Sequence, residues 1–375
     1  MNGNMPSMVV LVLVIAALVT PAGVIAALRR MSLPITGAVA VCYLLGIVAG
    51  NVAPLAAPIR DMQETLAGLL VAFWIPLLIL PLRIGEIGRI VARAVTTAVV
   101  VLFSLTITVV AVHLVFHAFR ADNFRVTAIE AAFYSGGIPG ADALRRGQHL
   151  ASQLVAQVQS VGTVLTAPFL FVSFLLGPKL SGSARAGAVA ETEAGPLPQI
   201  KGLLPILAVA ALIAGLGLAV GSLFPAGLSS ILGMATIGLL SVATTLVRRL
   251  QLRPAPAVWE VTAGQYAAVT FAFVAGSMTG FRGVISAAGT VWITAAAVLF
   301  GAAGISLLIS RAANIADAPA VVISILASAP FAGPASVAIG RPRAAVGGLS
   351  AGILGYALGS LLGRALLGLL PLLPG

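Results

Sequence analysis

Hydrophobic residues along the chain gather into ten runs, near residues 8–28, 35–55, 65–83, 95–118, 149–177, 201–223, 226–248, 259–280, 286–310 and 343–371. A helix needs about 20 apolar residues to cross a bilayer, so these runs predict ten transmembrane helices. Between the fourth and fifth runs of each half lies a segment of a different kind, at about 127–147 and 317–341, where small and polar residues are interrupted by glycine and proline. A polar stretch, residues 178–200, separates the halves. It carries two glutamates, three prolines and several small residues, and it reads as a flexible cytoplasmic linker.

The two special segments are related. Ser135, Gly140 and Gly147 recur at a shift of 193 residues as Ser328, Gly333 and Gly340, and Gly162 recurs as Gly355. The same shift lays six segments of the first half onto six of the second. Internal repetition in a membrane protein, with breaks at matching places, is the sequence pattern of secondary transporters and points to their binding site. The expected repeats are 1–177 and 201–375.

Composition agrees with a membrane-embedded chain. Hydrophobic residues make up 60% and charged residues 8%, with a mean hydropathy of +1.12, which no soluble domain of this length shows. The first run lacks a basic n-region and a convincing cleavage site, so it is expected to be a retained helix. The single cysteine, Cys42, sits in an apolar run and gives no disulfide framework. The net charge of +11 does not indicate nucleic acid, because the basic residues fall between apolar runs rather than in one exposed cluster.

Their placement sets an orientation. Arg29, Arg30, Arg83, Arg89 and Arg93 lie beside the first and third runs. Lys179, Arg185 and Lys201 lie in or near the linker, and Arg248, Arg249, Arg253 and Arg311 follow later runs. All of these face the cytoplasm together only if each special segment enters and leaves on one side, as a re-entrant hairpin. Arg341 and Arg343 then join them, which places fourteen of the 21 Lys and Arg inside. The expected fold is therefore an all-α polytopic membrane protein. It has two inverted-topology repeats, each of five transmembrane helices plus one re-entrant hairpin, at 127–147 and 317–341. A kinked through-helix or a tight loop is the alternative at each hairpin.

Glycine permits positive φ and close backbone approach, and proline removes an amide and stops a helix. SGGIPGAD (135–142) and SAPFAGPAS (328–336) are thus expected to open half-helices whose free amides and carbonyls can hold ions. Ionisable groups inside a bilayer are costly and default to functional candidates. Candidate solute-binding residues are Ser135, Gly136, Gly137, Gly140, Asp142, Gln153, Gln157, Ser328, Gly333 and Ser336. Candidate coupling-ion residues are Glu130, Asp142, Asn314 and Asp317, which could bind sodium or carry a proton; helix capping or interfacial hydration is the alternative for each. Arg145, Arg146 and His149 could clamp an anion or form a basic rim. Gln153, Gln157 and Ser160 share one helical face, as either a wet path or interhelical hydrogen bonding. Gly348, Gly352, Gly355, Gly359 and Gly363 form a small-residue packing seam. Pro76 and Pro81 are expected to bend the third helix.

Enzymatic signatures are missing. Gly348–Gly352 matches the nucleophile-elbow pattern, but within a glycine-rich membrane helix rather than a strand-to-helix turn. His113 and His117 have no third ligand nearby in sequence. No metalloprotease, phosphate-loop, dinucleotide or paired-cysteine motif occurs. No enzyme activity, no bound metal and no cofactor are expected, with sodium entering only as a coupling ion.

Three stretches, WIPLLILPLRIGEIGRI (74–90), FYSGGIPGADA (133–143) and ASAPFAGPASVAIGRPRAAVGGLSAGILGYALGS (327–360), resemble a bacterial integral-membrane family of unknown function. That family is related to the bile-acid/arsenite and sodium-symporter superfamily, and the likeness covers most of the chain. In fold the chain looks like the sodium:glutamate and citrate:sodium symporters, in which Gly-rich re-entrant loops build the solute and sodium sites. The resemblance implies that 135–140 is the first such loop and 330–334 the second, though the second lacks the double glycine. LVAQVQSVGTV (154–164) also resembles regulator-like duplicated membrane proteins. Together these features lead one to expect a multi-pass protein of the bacterial inner membrane. Its expected role is to move a small, anionic organic solute with H+ or Na+ by alternating access, surrounded by lipid and with a homodimer among its assemblies. A sensor or partner-binding protein that keeps the fold without transport is the alternative.

Overall fold

The computed structural model describes residues 5–31, 37–52, 57–82, 84–116, 123–180, 200–224, 226–250, 258–315, 318–327, 329–338 and 344–373. Among them the chain is helical with no strand. The first half runs α1 (Met5–Arg30), α2 (Gly37–Val52), α3 (Ala57–Ile79), α4 (Ile84–Phe116), α5 (Asn123–Gln148) and α6 (Ser152–Leu180). The second runs α7 (Ile200–Ser222), α8 (Ala226–Leu250), α9 (Val258–Ser277), the short α10 (Phe281–Ser286) and α11 (Gly289–Ala312). It continues with α12 (Ala318–Leu326), a 3-10 turn (Ala329–Phe331), α13 (Ala332–Ala338), α14 (Ala345–Leu369) and a closing 3-10 turn (Leu370–Leu372). The predicted linker falls almost wholly outside the described residues.

Six of the described helices are long and apolar enough to cross a membrane: spans Met62–Ile79, Ile87–Phe116, Ser152–Ser173, Pro205–Ser222, Gly289–Ala312 and Ala345–Leu372. The protein is an all-helical, multi-pass membrane protein. Helix α4 shows the logic. Its outward side chains are Val95, Val99, Phe103 and Ile107, while Thr97, Ser104 and Thr108 point inward. Those three hydroxyls donate to the carbonyls of Arg93, Val100 and Ser104, one turn back, at 2.9, 2.7 and 2.7 Å. Apolar outside and self-satisfied polar inside is the arrangement that lipid demands. This helix also begins before its apolar run, so Arg89 and Arg93 extend it as exposed residues rather than lying in a loop. Pro76 lies within α3, but Pro81 falls beyond it. The helix stops at Ile79 because the residue before a proline disfavours helical backbone.

The chain forms two compact units. The first comprises Met1–Glu86, Leu170–Gly280 and Gly333–Arg343, and the second Ile87–Phe169, Phe281–Ala332 and Ala344–Gly375. In the first unit α9 packs on α1, α2 and α3, α7 packs on α8, and α3 reaches both α7 and α8. The α2–α9 contact is backbone on backbone: Gly46 and Gly50 lie against the carbonyls of Phe273 and Ser277, and Gly276 lies against that of Tyr43. Small residues allow this approach. Asn51 and Gln63 complete the corner, with Asn51 Nδ2 donating to Thr279 O at 2.7 Å and Gln63 Nε2 to Ser277 Oγ at 2.9 Å. In the second unit α14 packs on α5, α12 and the 329–331 turn, and α11 packs on α5 and α12.

Candidate functional site

Helix α5 is broken. Gly137 adopts φ 64, ψ −162, a backbone that side chains other than glycine's rarely tolerate. The chain reverses there. A Cβ built on Gly140 would stand 2.6 Å from the carbonyl oxygen of Ala132, although eight residues of straight helix would separate the two by about 12 Å. Pro139 sits in the first turn of the second arm and supplies no N–H to Ser135 O, the carbonyl an unbroken helix would satisfy.

The two arms lie along α14. Ser135 and Gly136, at the turn, meet Gly355 and Gly359; Ala128, Ala132 and Leu144 meet Gly363, and Gly147 meets the Arg364 guanidinium. From Gly355 to Arg364 is nine residues, about 13 Å of helix. Gly348 of α14 contacts Ser324 and Ala332, and Gly355 also faces Ile325. One glycine-lined helix face therefore receives both the first broken helix and the α12 segment.

The first arm is buried on every side, from Val126 to Gly137. At 100° per residue, Ala128, Ala132, Ser135 and Gly136 point to α14, Phe133 points to Gly162 of α6, and Glu130 and Tyr134 point to α11. Glu130 is 0% exposed. Its Oε1 accepts from Thr294 Oγ1 at 2.7 Å, and its Oε2 has no hydrogen-bond partner. Tyr134 donates its hydroxyl to Ala295 O at 3.2 Å. Ser135 donates to Ala131 O at 2.5 Å, which leaves its oxygen's lone pairs free to accept.

Other predicted residues take separate places. Asp142 is part-exposed in the first turn of the second arm, where a carboxylate favours the helix dipole. Its Oδ1 lies 3.6 Å from Arg145 Nε and accepts from Gln159 Nε2 at 3.4 Å. Gln157 donates to Ser286 O at 3.0 Å, and Gln153 is exposed. The face drawn through Gln153, Gln157 and Ser160 thus divides into an outward residue and interhelical bonding, with Gln159 supplying the contact to Asp142.

Asn314 is exposed, with φ 52. It ends α11: the next amide, Ile315 N, reaches back to Ser310 O at 2.9 Å, the closing pattern of a left-handed cap. His149 ends α5 the same way, with φ 50 and Leu150 N bonded to Arg145 O at 3.1 Å. Gly333 and Ser336 belong to the first unit. Gly333 lies flat on the Trp74 indole, and Ser336 donates to Gly333 O at 2.7 Å. Trp74 Nε1 is buried without a partner. Ser328 and Asp317 lie outside the described residues, as does His117.

Sequence reasoning passed over Thr294, Tyr134 and Trp74. Thr294 gave no signal, since a threonine in a membrane helix usually bonds its own backbone. Tyr134, one turn after an intramembrane glutamate, was the readable clue. Among the described residues no group of three His, Cys, Asp or Glu could hold a metal ion. No protein-family model matches the chain, and no curated protein matches it either.

Proposed function

We propose that the protein is a secondary active transporter of a small, anionic organic solute, coupled to H+ or Na+, in the bacterial cell membrane. Its halves are inverted repeats, 127–147 and 317–341 are re-entrant hairpins, and it descends from the sodium-symporter superfamily. The observation that carries this reading is the pair of interrupted segments, 193 residues apart in sequence, received by one glycine face of α14. Irregular backbone at membrane depth is tolerated where it lines a cavity or is buried in protein, and broken helices are the usual ion and solute sites of such carriers. The unit boundaries support the repeat: Ile87 and Phe281, which open corresponding parts of the second unit, lie 194 residues apart, one residue from the sequence shift. The second unit carries the solute site, built from Ser135, the amides after Gly137 and the hydroxyls beside them, and alternating access exposes it to each side in turn.

Purified protein in proteoliposomes tests this, with a panel of radiolabelled carboxylates and imposed pH or sodium gradients. Gradient-driven uptake of at least one anion, lost in Gly137→Val, is the expected result. Flux that ignores both gradients and every anion refutes it.

A further inference from the structure

Glu130 is the one carboxylate of the described residues sealed wholly inside the second unit, and the group that meets it has a choice. Thr294 has one hydroxyl hydrogen and three acceptors in reach: Glu130 Oε1 at 2.7 Å, Thr290 O at 3.0 Å and Val291 O at 3.3 Å. It can give that hydrogen to only one at a time. If Glu130 is ionised, Thr294 gives it to the carboxylate. If Glu130 is protonated, its own O–H can donate to Thr294 Oγ1, and Thr294 turns its hydrogen to Thr290 O. Both states keep every hydrogen used, and no backbone movement is needed to pass between them.

We propose that Glu130 is a proton-binding site and that Thr294 is the positioning hydroxyl that reverses its hydrogen bond as the proton arrives and leaves. The step balances simply: a hydronium ion gives up one proton, water remains, and a carboxylate becomes a carboxylic acid; release is the reverse. The exposed start of α11 is near. Ser286, Ala288 and Gly289 are exposed, and Thr294 lies five residues into α11, about 7 Å along it, with half-buried Thr290 between.

The surroundings favour a proton over a metal cation. A hard cation wants about six oxygens, whereas the described residues offer Glu130 one hydroxyl and leave Oε2 unpartnered. A proton needs one lone pair. No fixed charge competes from the packed elements. Tyr134 is the titratable neighbour on α5 itself, and its hydroxyl is committed to Ala295 O. On α11 the single titratable residue is Arg311, exposed at the far end, and α12 has none. On α14, Tyr356 and Arg364 stand beside Gly136 and Gly147, on the side of α5 turned away from Glu130. Helix α6 has none before Lys179.

Coupling of this proton to solute movement rests on the transporter reading; the proton site does not, and its test uses no solute. Infrared difference spectra of the full chain in lipid nanodiscs, recorded across a pH series, should show a buried carboxylic-acid band that fades as pH rises. The band should be missing in Glu130→Gln and kept in Asp142→Asn. Thr294→Val removes a bond from both forms, the stronger one from the charged form, and should tighten proton binding roughly tenfold, while Thr294→Ser should restore it. Replacing sodium chloride by choline chloride should leave the midpoint in place. If Glu130→Gln fails to fold, the Thr294 pair decides. The proposal is overturned if no band titrates, if Thr294→Val behaves as wild type, or if added sodium lowers the midpoint. A titrating band without any solute flux sinks transport and keeps the proton site. Flux without a titrating band does the reverse.

Discussion

Gly355→Ala is the sharpest probe of the second unit, because the cost follows from one contact. A Cβ on Gly355 would stand inside the van der Waals sphere of Ser135 O and 3.2 Å from Ser135 C. The obstacle is backbone, so it cannot rotate away; α14 and α5 must part by about 1 Å. A gap of that size forfeits a quarter to a half of each dispersion well it opens. Gly359 and Gly363 lie in the same seam, with built Cβ atoms 2.8 Å from Gly136 N and 2.8 Å from Leu144 Cδ2, so the whole seam loosens together. A few tens of atom pairs at about 0.1–0.2 kcal/mol, each losing about a third, cost roughly 2 kcal/mol. That agrees with the usual range of about 1–3 kcal/mol for overpacking.

The internal control is Gly368→Ala on the same helix. Nothing lies within 4 Å of a Cβ there, so the substitution brings only the helix preference of alanine, about 1 kcal/mol in favour. The same gain offsets part of the cost at Gly355. The two variants should therefore differ by about 2 kcal/mol, read as opposite displacements of the unfolding curve in a detergent or denaturant titration of the purified protein. Equal stability of Gly355→Ala and Gly368→Ala would falsify the backbone contact between α14 and the turn of α5.

Tyr134→Phe removes a buried hydroxyl bonded at 3.2 Å to Ala295 O and should cost about 1 kcal/mol in the same titration; no change would mean the bond is not made. Asn314→Gly should be tolerated within a few tenths of a kcal/mol, while Asn314→Val should cost about 1–3 kcal/mol, because φ 52 strains a β-branched residue. Arg145→Ala should alter stability by less than about 1 kcal/mol, and the effect should vanish in 1 M salt, since its pairing with Asp142 at 3.6 Å is part-exposed. Gly333→Ala places a Cβ 2.7 Å from the Trp74 ring, and a protein keeping Trp74 as its only tryptophan should show altered emission; an unchanged spectrum would remove that contact.

Much of this was legible from residue types alone. The six helices of the first half, the break within 135–140 and the packing role of the 348–363 glycines all follow from local preference. A run of apolar residues, a Gly-Gly-x-Pro sequence and a four-residue glycine spacing state their consequences within a few turns. What was not legible is what crosses the chain. Glu130 and Thr294 lie 164 residues apart, and nothing near either one names the other. Asp142 and Asn314 stood out as polar residues beside breaks, yet polarity does not separate a ligand from a cap. The backbone adds the first-turn position of Asp142 and the positive φ of Asn314, which residue types alone do not state.

The glycine face of α14 looked like packing alone, and the broken helix shows why packing and the break are one problem. Pro139 withholds the N–H that Ser135 O would receive in an unbroken helix, so this carbonyl at a buried turn needs another neighbour. An unpartnered carbonyl there costs free energy comparable to a lost hydrogen bond. Gly355 faces that oxygen directly, and with no side chain in the way one of its Cα hydrogens points at it, a weak bond of about 0.5–1 kcal/mol. Any larger residue on α14 would hold the helices apart and leave the carbonyl bare. The glycine at 355 is therefore what accommodates the Ser135 carbonyl that Pro139 leaves without its helical N–H.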